Sequence, residues 1–121
     1  MIKEEDVQTA QDFLTKSDGY FAEDDVLQGS EKLWGAAAHA VMAVAQQRGW
    51  KYGNHYTLRE TALRLADEME DERISLGLGV AEKFHANFYH NFMEDSELDM
   101  NRPLVQHFVE RMLALVEDET G

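Results

Sequence analysis

The sequence predicts an all-α fold, a five-helix bundle, on three observations. Apolar residues recur at three- and four-residue spacing along five successive stretches. No stretch shows the strict alternation of a half-buried strand, and no hairpin signal, internal repeat or low-complexity linker interrupts the pattern. The punctuation is also helical, with a glycine stop at Gly49, a capping pattern at Thr57 and Glu60, and a single proline, Pro103, near the start of the last stretch. The 121 residues form one domain, 1–121, with a core from about 4 to 117 and short connections between antiparallel neighbours.

The first helix is expected from Lys3 to about Phe21, with Val7, Ala10, Phe13, Leu14 and Phe21 inward. Gly19 and the acids Glu23 to Asp25 mark its end. The second runs from about Asp24 to Arg48 and turns Leu27, Trp34, Ala37, Ala38, Val41, Val44 and Ala45 to the core. Gly49 suits the left-handed position just past a helix end, which a residue without Cβ adopts freely. Thr57 and Glu60 predict a capping box for the third helix, whose stripe is Leu58, Ala62, Leu65, Ala66 and Met69. The fourth spans about Glu72 to Phe92, with Ile74, Leu78, Ala81, Phe88 and Phe92 on one side. Its Gly77 and Gly79 lower helix propensity and point to close packing. The fifth is expected from about Asn101, so that Pro103 falls in the first turn, with Leu104, Phe108, Met112 and Leu115 inward.

Composition narrows the functional classes. Apolar residues make up 44% of the chain, enough for a packed core and too many for disorder. There is no cysteine, which removes disulfides and thiolate metal sites. The opening MIKEEDVQTA is acidic and has no apolar stretch, and the uncharged apolar-rich run Gly35 to Ala45 is too short to span a bilayer. A soluble, cytoplasmic protein without membrane contact is expected. The net charge of −13, from 24 acids against 11 bases, repels phosphate backbones and argues against general nucleic-acid binding. One segment runs against that balance. Between Arg48 and Arg64, the four bases Arg48, Lys51, Arg59 and Arg64 face the single acid Glu60.

That segment contains the first candidate site. The connection of residues 48–57 carries Trp50, Tyr52, Tyr56 and His55 beside Arg48 and Lys51. Aromatic faces stack on a base or sugar, and basic groups meet a phosphate. Arg48, Trp50, Lys51, His55 and Arg59 are therefore candidate ligand-binding residues for a nucleotide or other small anion. Against this stands the simpler role of Trp50 and Tyr56 as lids on the end of the bundle. A second candidate, a buried polar site, comprises Trp34, His39, His85, Asn87 and Tyr89. His39 lies among Gly35, Ala36, Ala40 and Ala43, and it approaches His85 if the second and fourth helices are neighbours. That small-residue face is also where a second copy of the chain is expected to pack.

No metal or other cofactor is expected. Glu82 and His85 reproduce one element of a carboxylate-bridged di-iron bundle, but the second copy such a site needs is absent, because His107 precedes Glu110. No two histidines stand four apart on one helix, and no phosphate-binding glycine loop or nucleophile elbow occurs.

Three segments in order, Glu31-Lys-Leu-Trp34-Gly-Ala-Ala-Ala-His39-Ala, then Arg48-Gly-Trp50 with His55 and Leu58, then Ala81-Glu-Lys-Phe-His85-Ala-Asn87-Phe-Tyr89, resemble the PaREP family. That group of small helical proteins lies in the HEPN (higher eukaryotes and prokaryotes nucleotide-binding) superfamily. The resemblance covers about residues 7–117 and implies a HEPN-like up-and-down bundle that pairs as a homodimer. HEPN ribonucleases carry an arginine and a histidine with four to six residues between them, and two pairs here fit that spacing: Arg48 with His55, six residues between, and Arg102 with His107, four between. Both place an unusual residue after the arginine, Gly49 and Pro103.

Three readings follow: a HEPN-like module binding a nucleotide or similar anion, a metal-independent ribonuclease using one of those Arg/His pairs, and an acidic protein-interaction or antitoxin-like partner. The charge balance favours the first and third.

Overall fold

The computed structural model describes residues 4–120, with side chains from 5 to 116. It is an all-α bundle of five helices: α1 (Glu4–Ala22), α2 (Val26–Arg48), α3 (His55–Glu68), α4 (Arg73–His90) and α5 (Asp95–Thr120). The expected start at Lys3 lies outside the described residues. Helix α2 is the axis and packs against each of the other four. Its alanines explain this position. Ala36, Ala37, Ala40, Ala43, Val44 and Ala45 have no exposed surface, so neighbours approach from several sides at once. Asp25 caps its N-terminus by accepting from the Gln28 N–H at 3.2 Å, and Gly49 ends it in the left-handed region at φ 74°.

The most extensive helix contact is between α1 and α2. A Cβ on Gly35 would stand 2.7 Å from the Phe13 ring, and one on Gly29 would stand 2.8 Å from the Phe21 ring. Two phenylalanines of α1 thus lie directly on two glycines of α2, and Ser17 donates to the buried Gly29 carbonyl at 2.9 Å. The face of Gly35, Ala36, Ala40 and Ala43 is consumed inside the chain, and Ala36, Ala40 and Ala43 are fully buried. Its three alanines are therefore closed to a second copy. A stripe of small residues signals close helix packing without saying whose helix supplies it.

Helix starts account for the other departures. The capping box of α3 is formed by Asn54 and Thr57, not by Thr57 and Glu60. Asn54 is extended (φ −154°, ψ 174°), and its carboxamide accepts from the Thr57 N–H at 2.9 Å. The Thr57 hydroxyl in return accepts from the Asn54 N–H at 3.1 Å, so the helix begins at His55. Helix α5 begins at Asp95, well before Asn101, and Pro103 lies in its interior. The missing donor leaves the Asp99 carbonyl without its intrahelical partner, which is tolerable because Asp99 and Pro103 are both exposed to water. Burial of Met93 and Leu98 fixes the extra turns ahead of the proline.

The stripe of α5 is accordingly Leu98, Val105, Phe108, Val109, Met112 and Val116, whereas Leu104 is exposed. Helix α4 stops at His90 because Asn91 turns left-handed (φ 46°). Phe92 therefore projects to solvent, and the core residue of that helix is Phe84, with no exposed surface. Met69, the residue that closes α3, is also exposed. Of the two α4 glycines, Gly77 lies against Phe108, where a Cβ would come within 2.5 Å, while Gly79 faces open space. No helix among the described residues is long and apolar enough to cross a membrane.

Candidate functional site

Most of the residues singled out in the sequence gather around the two faces of α3. Two positions along a helix are about 200° apart, so His55 and Thr57 point to opposite sides, while residues four apart share a side. His55 and Arg59 therefore look toward α4, and Thr57, Thr61 and Arg64 look toward the connection from α2.

On the second side lies a hollow of about 340 Å³ lined by Gly49, Trp50, Lys51, Thr57, Glu60, Thr61 and Arg64. The Trp50 ring carries two guanidinium groups, Arg48 at 5.3 Å and Arg64 at 4.8 Å from its centroid. Such contacts contribute roughly 0.5–1 kcal/mol at exposed sites. Arg48 is further held by Glu68 at 2.7 Å. Arg64 and Lys51 are exposed at the rim. The Thr57 hydroxyl is occupied by the capping box, where it also donates to the Asn54 carbonyl at 2.9 Å. Arg64 and Glu60 were missed as lining residues. The signal was available, since helical spacing from Thr57 through Thr61 to Arg64 puts all three beside Trp50.

On the first side His55 meets His85, with ring centroids 5.3 Å apart and planes at 79°. Trp34, only 7% exposed, packs against both rings, at 4.9 Å from His55 and 5.3 Å from His85. Tyr89 stands edge-on to His85 at 5.3 Å but is exposed to solvent rather than buried, and Glu31 takes the His85 Nδ1 at 2.7 Å. One turn along both helices, Arg59 grips Glu82 with Nε and Nη2. Glu82 raises the Arg59 pKa through that hydrogen bond and its charge. Arg59 is thus committed to an ion pair on the α4 side rather than to the hollow. Among the described residues, no group of three or more His, Cys, Asp or Glu side chains is placed to hold a metal ion.

The remaining candidates lie elsewhere. Helices α2 and α4 are neighbours, yet His39 turns to α1, where Asp6 meets its Nδ1 at 2.8 Å and Phe13 contacts its ring edge-on. Asn87 is structural: it donates to Ser30 at 3.1 Å and accepts from the N–H groups of Phe92 and Met93 at 2.8 Å each, closing the turn after α4.

The two Arg/His pairs are not assembled into common sites. Arg48 reaches Glu68 at the far end of α3, about 20 Å along the axis from His55. Arg102 and His107 are five positions apart on one helix, about 140° around it. Arg102 lies over the Phe21 ring at 4.0 Å, while His107 lines a groove of about 500 Å³ between α4 and α5, bordered by the exposed Leu76 and Leu104.

A model of the archaeal PaREP1/PaREP8 family matches residues 5–109. The chain belongs to this family. No curated protein and no solved structure matches it. For this PaREP1/PaREP8 protein the three sequence segments that carried the resemblance acquire a spatial meaning. Trp34 from the first, His55 from the second, and His85 with Tyr89 from the third converge at one corner, while Trp50 forms the adjacent hollow.

Proposed function

We propose that this PaREP1/PaREP8 protein is a binding module, HEPN-like in kind, that holds a small anion bearing a flat ring, of the nucleotide class, in the hollow beside Trp50. The observation that supports this reading is the Trp50 indole in contact with the guanidiniums of both Arg48 and Arg64 at the edge of a 340 Å³ hollow. Arg48 is tied to Glu68 and keeps its charge near the indole. Arg64 is exposed, and by swinging off the ring it presents a flat face and a cation together. Lys51 adds a second positive group for the phosphate, and Glu60 offers an acceptor to ring amino groups. In a chain of net charge −13, a hollow rimmed by Arg64 and Lys51 is a local exception to the prevailing field.

Thermal shift and calorimetry with nucleoside mono- and diphosphates test this. A ligand at a hundred times its Kd adds about 2.7 kcal/mol to stability. Trp50→Ala and Arg64→Ala are each expected to abolish that gain while the unliganded melting temperature moves by only a few degrees. If no nucleotide stabilises the wild type, or if both variants retain the gain, the reading fails and the hollow is a lid over the bundle end.

A further inference from the structure

We propose that His55 and His85 form a binding site for one divalent transition-metal ion of the zinc, nickel or copper class, with Glu31 orienting His85. The first support is geometric. A tetrahedral ion with metal–nitrogen bonds of about 2.05 Å places the centres of two bound imidazoles roughly 5 Å apart. The rings of His55 and His85 are 5.3 Å apart, brought together from the first residue of α3 and the middle of α4.

The second support is the tautomer. Glu31 meets His85 at Nδ1 (2.7 Å), so an ionised carboxylate holds the ring proton there and leaves Nε2 as the electron-pair donor. Metal-ligating histidines characteristically carry such a carboxylate on the nitrogen that does not touch the metal, where it fixes the ring and raises its basicity. Trp34 backs both rings and Tyr89 flanks His85, so the orientation is held from several sides.

The third support is access and charge. His55 is exposed, and the side chains of His85 and Glu31 are 28% and 27% exposed, so water reaches the site and completes the coordination shell. The net charge of −13 concentrates cations near the surface, and two nitrogen donors select borderline transition ions over magnesium or calcium. With two imidazoles and no ready-made third ligand among the described residues, the remaining coordination positions face solvent.

The same contacts also suit a purely structural aromatic cluster, in which T-shaped rings stabilise one another. Copper titration of the full chain, followed through the ring resonances of its five histidines, separates the two. The site predicts that His55 and His85 broaden at substoichiometric copper, ahead of His39, His90 and His107. Calorimetry with zinc should give one ion per chain and with magnesium no heat. His55→Ala, at an exposed position, should weaken zinc binding by about tenfold or more. Glu31→Gln should weaken it by about 10–100-fold, and His107→Ala should leave it unchanged. Equal broadening of all five histidines, absence of zinc binding, or unaltered affinity in His55→Ala each overturns the proposal. The nucleotide experiment reads a different face of α3, so either proposal can fail alone.

Discussion

The two faces of α3 hold similar residue types in opposite states. Toward α4, the rings of His55, His85 and Trp34 touch one another, Glu31 tethers His85, and Arg59 is locked on Glu82. Toward the α2–α3 connection, Trp50 keeps a hollow beside it, with Arg64 and Lys51 exposed at the rim. The difference lies in what carries each aromatic. Trp34 sits mid-helix on α2, where neighbours close over it, whereas Trp50 follows the glycine stop, where a single layer of chain leaves one side open. Shared composition therefore does not imply shared chemistry. Helix-borne groups are pre-positioned, and loop-borne groups retain room for a ligand.

The largest expected effect tests that contrast directly. Trp34→Ala removes a side chain only 7% exposed and should cost about 3–5 kcal/mol in chemical denaturation. Trp50→Ala, in a half-buried position, should cost about 1–2 kcal/mol, well below full burial of a large side chain. Equal losses would erase the distinction and make Trp50 a core residue.

A smaller effect concerns the cap that both faces share. Asn54→Ala deletes the acceptor for the Thr57 N–H and should cost about 1 kcal/mol. Because α3 begins there, the loss should increase hydrogen exchange in the first turn and disturb both His55 and the hollow. If only one of the two responds, the faces are mechanically independent.

The subtlest test lies at the other end of α3, in the turn before α4. Asp71 accepts from Arg73 and from Arg111 of α5, and these hydrogen bonds, that of Arg73 foremost, hold its carboxyl far below the usual carboxylate range. A depressed carboxylate pKa stabilises the fold at every pH above the unfolded value, about 4. That contribution fades as pH falls from there toward the folded value. Asp71→Asn should therefore flatten the pH dependence of melting temperature below pH 4 and leave its slope above pH 6 unchanged. An unaltered acid slope would show that the tie at this turn contributes nothing to stability.

Much of the fold was legible in the chain itself. The apolar spacing located five helices, Gly49 marked the end of α2, and the crowding of aromatics and bases at residues 48–57 marked the connection where the hollow lies. The start of α5 was not legible, because the proline rule is local, whereas burial of Met93 and Leu98 against the bundle outweighs one missing hydrogen bond at an exposed carbonyl. Partner choice was equally hidden. His85 meets His55 rather than His39, Arg48 finds Glu68, and the glycine–alanine face of α2 receives the phenylalanines of α1. The physical reason is common to all three. Periodicity records which side of a helix is apolar, small or charged, but the helix that covers that side is set by packing between residues distant along the chain. Sequence determined the helices and most of their buried faces; tertiary structure decided which faces met, and with them which side chains form a site.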